Sequence, residues 1–320
     1  MSRRVTTAVA LLCAFTLAGC GQVDLSKSVQ NRTTVKTGDA FTDKALRLVE
    51  PCKLYTPELV ASLGKDIGQV PSRGGYSSCS LIIGEAATGK KVTLSINLSE
   101  HQFSAPKQTG KQLSGLSVNE NQTQTGCSEV AITARDPDKG INATVGGDFT
   151  GNPCEIGVKL ITAVVGSIAK NPPKYEDTPG SLVGRDPCAD VDDRTLTSVL
   201  GGTTVVKSPE TIRDCRFQTG TTGSEKNEIT TSYEIGDDPY QYNATAKPTK
   251  VDLTDKVKGA AQFKDQYAPN KCVISWVQRA LAGGKGENVE VAYSRLDGQQ
   301  EDSCAKAQIV AKAVAAKLSS

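Results

Sequence analysis

Ten cysteines and a single histidine hold most of the reactive chemistry available to this 320-residue chain. Thiolates attack, exchange disulfides or ligate soft metals, and spacing decides which of these a chain can do. Thiol–disulfide exchange wants Cys-x-x-Cys, and no such pair occurs. No two cysteines lie within four positions of each other, so the zinc spacings are missing as well. His101 follows Glu100, but neighbouring residues on a strand point to opposite faces, so the carboxylate is badly placed to orient the imidazole. No Gly-x-Ser-x-Gly nucleophile turn accompanies it. His101 reads as an exposed loop residue, and the chain as one without catalytic residues.

Two other segments invite chemistry and lose it on inspection. Gly84-Glu85-Ala86-Ala87-Thr88-Gly89-Lys90 has the outline of a phosphate-binding loop, yet Lys91 stands where Ser or Thr should hold magnesium. It also joins two expected strands where the motif needs a helix, so it reads as a hairpin loop. Asp190, Asp192 and Asp193 suggest a calcium loop, but the sixth position is Thr195 rather than Gly. Helix N-capping explains them better. Asp237 and Asp238 belong to a turn, Gly236-Asp237-Asp238-Pro239. No metal site and no cofactor are expected.

The N-terminus gives an address. Arg3 and Arg4 precede an apolar run from Val5 to Ala18. That run spans about 21 Å as helix, short of a bilayer core of about 30 Å, so residues 1–19 read as a signal peptide. Leu17-Ala18-Gly19-Cys20 resembles the bacterial lipobox. The resemblance implies diacylglyceryl transfer to Cys20, cleavage before it, and a palmitate-bearing anchor holding the protein on the extracytoplasmic face of the cell membrane. Cleavage leaves 35 basic and 35 acidic side chains, a balance that gives no reason to bind nucleic acid. Residues 20–45 are polar and aperiodic and read as the lipidated Cys with a flexible tether.

With Cys13 in the signal and Cys20 lipidated, eight cysteines remain: Cys52, Cys79, Cys127, Cys154, Cys188, Cys215, Cys272 and Cys304. The first four are separated by 27, 48 and 27 positions, the second four by 27, 57 and 32, so one pattern is used twice. Each half opens Pro-Cys and leads into a short helix: Thr56 caps Leu59, Val60 and Leu63 before Gly64, and Asp193 caps Leu196 and Leu200 before Gly201. Strands follow around Cys79 and Cys215. Val92, Leu94, Ile96 and Leu98 then alternate with polar residues, as do Ile229, Thr231, Tyr233 and Ile235, a shift of 137 positions. After long loops at roughly 99–126 and 236–271, strands begin at Cys127 and Cys272, and turns at Asp136–Gly140 and Gly283–Gly286 lead into a fourth strand. The stretch from Val251 to Tyr267 is partly helical in pattern. A closing helix starts at Cys154 or Cys304 with that cysteine on its apolar face.

The expected fold is therefore α+β: tandem modules at 46–171 and 180–320, each a four-stranded antiparallel sheet with helices on one face. Trp276, the only Trp, falls on the third strand of the second module. With Tyr240, Tyr242 and Tyr267 of the nearby loop it could line a ligand groove, or it could be a packed core residue.

The Pro-Cys opening, the leucine-bearing helix ending in Gly, the Cys-bearing strand, the Gly259-Ala260 step before a third Cys and a final Cys opening an alanine-rich helix resemble the actinobacterial lipoprotein family called domain of unknown function 3558, as two tandem copies. The first module departs from it with Gly115-Leu116. Membership implies an envelope lipoprotein and carries over no catalytic residue.

Four cysteines allow three connectivities per module. Structural disulfides suit an exported chain, and neighbour pairing, Cys52–Cys79, Cys127–Cys154, Cys188–Cys215 and Cys272–Cys304, is expected because each pair joins a helix start to an adjacent strand. Such loops contribute on the order of 3–4 kcal/mol each. The functional expectation is a non-catalytic accessory or binding protein that meets another envelope protein or a cell-wall component. The alternative is a carrier of lipid or a small molecule in a groove between sheet and loop. A solute receptor of parallel α/β lobes does not match antiparallel modules.

Overall fold

A computed structural model describes residues 38–101, 107–135, 138–148, 150–176, 178–202, 204–219, 226–242 and 244–319. The expected signal peptide, Cys20 and most of the expected tether lie outside the described residues, as do Asp136 and Pro137 of the first expected turn. Folded chain begins before residue 45, which corrects the tether boundary. Phe41 is buried, and the Thr42 hydroxyl accepts the Ala45 amide to cap helix α1 (Asp43–Leu46). One aromatic and one capping residue are too short a signal to stand out from a polar segment.

In the first module α2 (Pro57–Leu63) forms as its sequence dictates. Thr56 caps it, Pro57 supplies a preset φ at its first position, and the chain leaves at Gly64. Seven strands follow, β1 (Ser72–Arg73), β2 (Ser78–Gly84), β3 (Lys91–His101), β4 (Lys107–Leu113), β5 (Leu116–Thr123), β6 (Gly126–Ala134) and β7 (Lys139–Gly147), then α3 (Pro153–Lys170). The second module contains α4 (Asp193–Leu200), β8 (Val205–Pro209), β9 (Asp214–Thr219), β10 (Asn227–Asp237), α5 (Pro239–Tyr242), β11 (Thr249–Val251), β12 (Ala260–Lys264), β13 (Lys271–Ala280), β14 (Lys285–Arg295) and α6 (Ser303–Leu318). Asp192, one residue before the expected cap, accepts the Thr195 amide and starts α4.

The fold is α+β with two antiparallel sheets, ordered β1-β2-β3-β7-β6-β5-β4 and β11-β12-β13-β14-β10-β9-β8. The four expected strands form the centre of each, but the sheets hold seven strands, not four. The additional strands come largely from the long loops. β4 reads Lys-Gln-Thr-Gly-Lys-Gln-Leu, a solvated edge, and β5 buries only Leu116, Val118 and Asn119 before running on as Glu-Asn-Gln-Thr, so the pair carries too short an apolar alternation to detect. Their hairpin turns on Ser114 (φ 49°) and Gly115 (φ 85°), the two positive φ values that a tight two-residue turn requires. The helical reading of Val251 to Tyr267 is also corrected, since this stretch contains the end of β11 and the strand β12.

α3 packs on β6 and β7, and α6 on β13 and β14. Leu160, Ile161, Val164 and Ile168 on one side, and Ala307, Val310, Ala311 and Val314 on the other, are buried at the helical spacing read from the sequence. All four disulfides join neighbours: Cys52–Cys79, Cys127–Cys154, Cys188–Cys215 and Cys272–Cys304. Non-reducing peptide maps are accordingly expected to yield these four linked pairs. A linked pair crossing from 52–154 to 188–304 contradicts the fold.

Register refines the repeat. Cys79 opposes Ile96 and Cys215 opposes Thr231, so Leu94, Ile96 and Leu98 correspond to Ile229, Thr231 and Tyr233. The shift is 135, not 137; a two-residue slip keeps every side chain on its face, so alternation alone could not detect it. The amides of Leu98 and Tyr233 accordingly make matching bonds, to the carbonyls of Ser77 and Arg213.

The modules are joined by an exchange. Tyr76, three residues before Cys79, is packed in the core of the second module, while Ile212, three residues before Cys215, is packed in the core of the first. The Ile212 amide donates to Ser99 Oγ at 3.1 Å, and its carbonyl accepts Arg47 Nε at 2.9 Å. Arg213 lies 4.4 Å over the Tyr76 ring and donates to the carbonyls of Leu182, Val183 and Arg47. Equivalent positions thus trade places across the joint, the reciprocity of a two-fold dimer written into one chain.

Candidate functional site

The turn after β10 and the strands beside it border two adjoining cavities in the second module. The larger, about 400 Å³, is lined by Tyr240 and Trp276 together with Lys256, Lys258, Gln278 and Ser319. Trp276 is 4% exposed and belongs to the core cluster, so the packed-core account holds; its indole Nε1 donates to Gln278 Oε1 at 3.1 Å. Tyr240 is fixed by its hydroxyl, which donates to the Pro248 carbonyl at 2.7 Å, and Lys250 lies 5.4 Å from its ring. The Lys256 ammonium donates to the Ser319 carbonyl at the end of α6. Lys258 sits between Asp252 and Asp255.

Of the four aromatics expected at a groove, the structure therefore brings together Trp276 and Tyr240. Tyr267 does not line this cavity; it is 89% exposed. The Tyr242 side chain lies outside the described residues. The lysines and Gln278 were missed because single polar residues on β-edges and loops carry no spacing signal.

The second cavity, about 200 Å³, is lined by Glu234, Asp237, Ser275, Asn288 and Glu290, beside Pro239, which borders both. Burial first, then the Glu234 carboxylate, pushes the Glu290 carboxyl up to about 7. A third cavity, about 230 Å³, lies between the modules, where Tyr76 and Tyr175 meet Arg279 and Glu287. The Glu287 carboxylate is buried but fully engaged, accepting from Arg279, from Ser181 Oγ at 2.9 Å and from the Leu182 amide at 2.8 Å. These bonds hold its pKa below the usual carboxylate range against the opposing effect of burial.

One grouping has ligand atoms close enough for a metal: those of Glu120, Cys127, Glu129 and Cys154 lie within 4.8 Å of one another. Both sulfurs are consumed in a single disulfide, so no thiolate is present to ligate. What remains is a carboxylate pair in which Glu129 is fully buried. Burial, followed by the Glu120 charge, pushes Glu129 up to about 7.

The other residues singled out in the sequence have structural duties. His101 is not the exposed loop residue expected but ends β3 opposite Lys139, partly buried, while Glu100 accepts from Asn142. Glu85 ties the β2–β3 hairpin to Thr88 and Thr150, and those hydrogen bonds hold its carboxyl far below the usual range. Asp190 does not cap a helix; it is buried, pairs with Arg185 and accepts the Tyr233 hydroxyl at 2.8 Å. Asp237 pairs with Lys285 at 2.8 Å.

No family model matches the chain, and no curated protein matches it. Among solved structures, the crystal structure of the di-domain ARO/CYC StfQ from the steffimycin biosynthetic pathway is similar over 85% of this chain and 94% of that one, at 8% identity and a TM-score of 0.20. A score that low bears on neither fold nor activity.

Proposed function

We propose that this chain is a lipid-anchored protein on the extracytoplasmic face of the cell membrane, related to the actinobacterial lipoproteins it resembles, and that it acts as a non-catalytic binding or accessory protein of the envelope. The observation that carries the binding reading is the contrast between closed cores and polar surface hollows. The large core aromatics are sealed, and the cavities beside them are lined by the charged and polar chains of the long loop after β10 and of neighbouring strands. Such a surface suits recognition of a polar wall component or a protein partner better than solvation of a lipid tail. Four disulfides support export, since these bonds persist in oxidising compartments. Among the described residues no helix is long and apolar enough to cross a membrane, which leaves the anchoring in this reading to Cys20.

Replacing residues 1–20 by a secretory leader that is cleaved without lipidation, with Ser at position 20, is expected to move the mature protein from the membrane fraction to the soluble fraction of an actinobacterial host, without altering its disulfides. Retention on the membrane at the unsubstituted level would contradict the anchor. A second reading, carriage of a small molecule, is favoured by the 400 Å³ cavity beside Trp276 and Tyr240. Its occupant would be polar, given Lys256, Lys258 and Gln278 in the lining.

A further inference from the structure

The corner of the first module where the chain leaves α2 and enters β1 and β2 carries an exposed apolar cluster that the second module lacks. On β2, Cys79, Leu81 and Ile83 are buried, so Ile82 and Gly84 point away from the core. Opposed residues share a face, which puts Thr93 beside Ile82 and Lys91 beside Gly84. Lys65 exchanges both backbone bonds with Gly84. A Cβ on Gly84 would meet Ile67 Cγ2 at 3.1 Å, so the missing side chain lets Ile67 lie over β2 next to Ile82. The β1 register, Ser72 opposite Ser80, carried two residues further brings Val70 alongside Ile82 as well. All three side chains are exposed, Val70 by 81%.

Cations rim the cluster. Lys65 and Lys91 flank Gly84 and make no ion pair among the described residues. Lys90 pairs with Asp148 at 2.8 Å, and Asp66 is engaged in its own turn, where Oδ1 accepts the Gly68 amide at 2.8 Å. In the second module Val206 opposite Gln218 matches Val70 beside Ile82, and Glu228 opposes Gln218 where Thr93 opposes Ile82. There Gln218 Nε2 donates to Glu228 Oε2 at 2.9 Å, and Arg216 pairs with the same carboxylate at 3.4 Å. The repeat has made its corner polar and satisfied within the sheet. The apolar, cationic version belongs to the first module, the one that follows Cys20.

Single apolar side chains on a surface are ordinary, but three that converge inside a rim of lysines suit a bilayer surface. Apolar groups enter the acyl boundary there while cations meet anionic headgroups. The chain from Cys20 to Gly38 can reach no farther than about 60 Å. In the lipid-anchored reading above, on which this inference rests, the folded body therefore stays within reach of the membrane. We propose that Ile67, Val70 and Ile82, with Lys65 and Lys91, dock the first module onto an anionic phospholipid surface. The contact orients a body that a single point of attachment would leave free to turn.

The test is flotation of the soluble mature chain, with Ser at position 20 and no lipid, on vesicles of phosphatidylcholine alone or mixed equally with phosphatidylglycerol. The unsubstituted chain is expected to float with the mixed vesicles at roughly millimolar lipid and to stay behind with the neutral ones. V70D should lower partitioning about tenfold, and K65Q and K91Q about fivefold each. V206D, the same change at the matching corner of the second module, should leave it intact. These positions are all exposed, and an unchanged Tm shows that each variant has folded. No flotation with the mixed vesicles, equal flotation with both kinds, unchanged binding by V70D, or an equal loss in V206D would overturn the proposal. So would a concentration-dependent dimer that V70D dissociates, which would make the corner a contact between two copies of the chain. Because the tested chain carries no lipid, the outcome does not depend on acylation of Cys20, which the fractionation experiment reads separately.

Discussion

Tyr76→Ala and Ile212→Ala are each expected to destabilise the folded chain by about 3 kcal/mol or more, and each is expected to loosen the module it does not belong to. Tyr76 is 2% exposed and Ile212 1%, and each side chain fills the core of the opposite repeat. Truncation leaves a cavity there and strips the cation–π contact from Arg213 or the packing beside Ser99. Because both plugs sit three residues before a disulfide cysteine, the strands that carry them cannot easily shift to fill the gap. Guanidinium unfolding is the measurement. The unsubstituted chain should unfold in a single transition, and either alanine variant should separate it into two, one per module. A loss below about 1 kcal/mol with a single transition preserved would show that the exchanged side chains do not couple the repeats.

Glu129→Gln is expected to stabilise the chain at pH 8 by about 3 kcal/mol, and to make no difference at pH 4. Glu129 is fully buried against the Cys127–Cys154 disulfide, and its carboxyl is pushed from 4.5 to about 7 by burial and then by Glu120. The unfolded chain loses this proton near pH 4.5, while the folded chain keeps it to about 7. Between those values the unfolded state binds fewer protons, so the Glu129 contribution to stability falls as pH rises and is fully lost above 7. Glutamine cannot ionise and removes that penalty. Carboxyls whose pKa is depressed in the fold, such as Asp297 beside Arg295, work in the opposite direction at lower pH. The quantity to measure is therefore the difference between variant and unsubstituted chain from pH 4 to 8. A difference that stays flat, or grows toward acid, would contradict a protonated Glu129.

Much of the fold was legible because it repeats. Eight cysteines at duplicated spacings, together with apolar faces starting at Cys154 and Cys304, were enough to anticipate the disulfide pairs, the central strands and the packing of α3 and α6. What escaped was physically quiet. β4 and β11 are solvated sheet edges, and β5 and β12, next to them, bury only Leu116, Val118, Asn119, Ala260 and Ala261, so their pairing rests on backbone hydrogen bonds more than on an apolar pattern. The 135-residue register was hidden because alternation is blind to a two-residue slip. The exchange of Tyr76 and Ile212 was invisible for a different reason: an apolar residue in a short connection shows that it is buried, not in which core. The candidate site was half legible. Trp276 and Tyr240 stood out as rare aromatics, whereas Glu234, Asn288 and Glu290 are scattered over two strands and become a group only when β10 and β14 pair.

In the function proposed above, the chain is a non-catalytic protein that recognises partners through its polar surface rather than carrying a molecule inside. Native mass spectrometry of the mature chain with Ser at position 20, exported behind the same secretory leader and purified from a lipid-containing actinobacterial host, tests this most directly. The binding account predicts the bare polypeptide mass, lighter by two hydrogens for each of the four disulfides. A reproducible organic mass excess that disappears on denaturation would contradict it and make the chain a carrier.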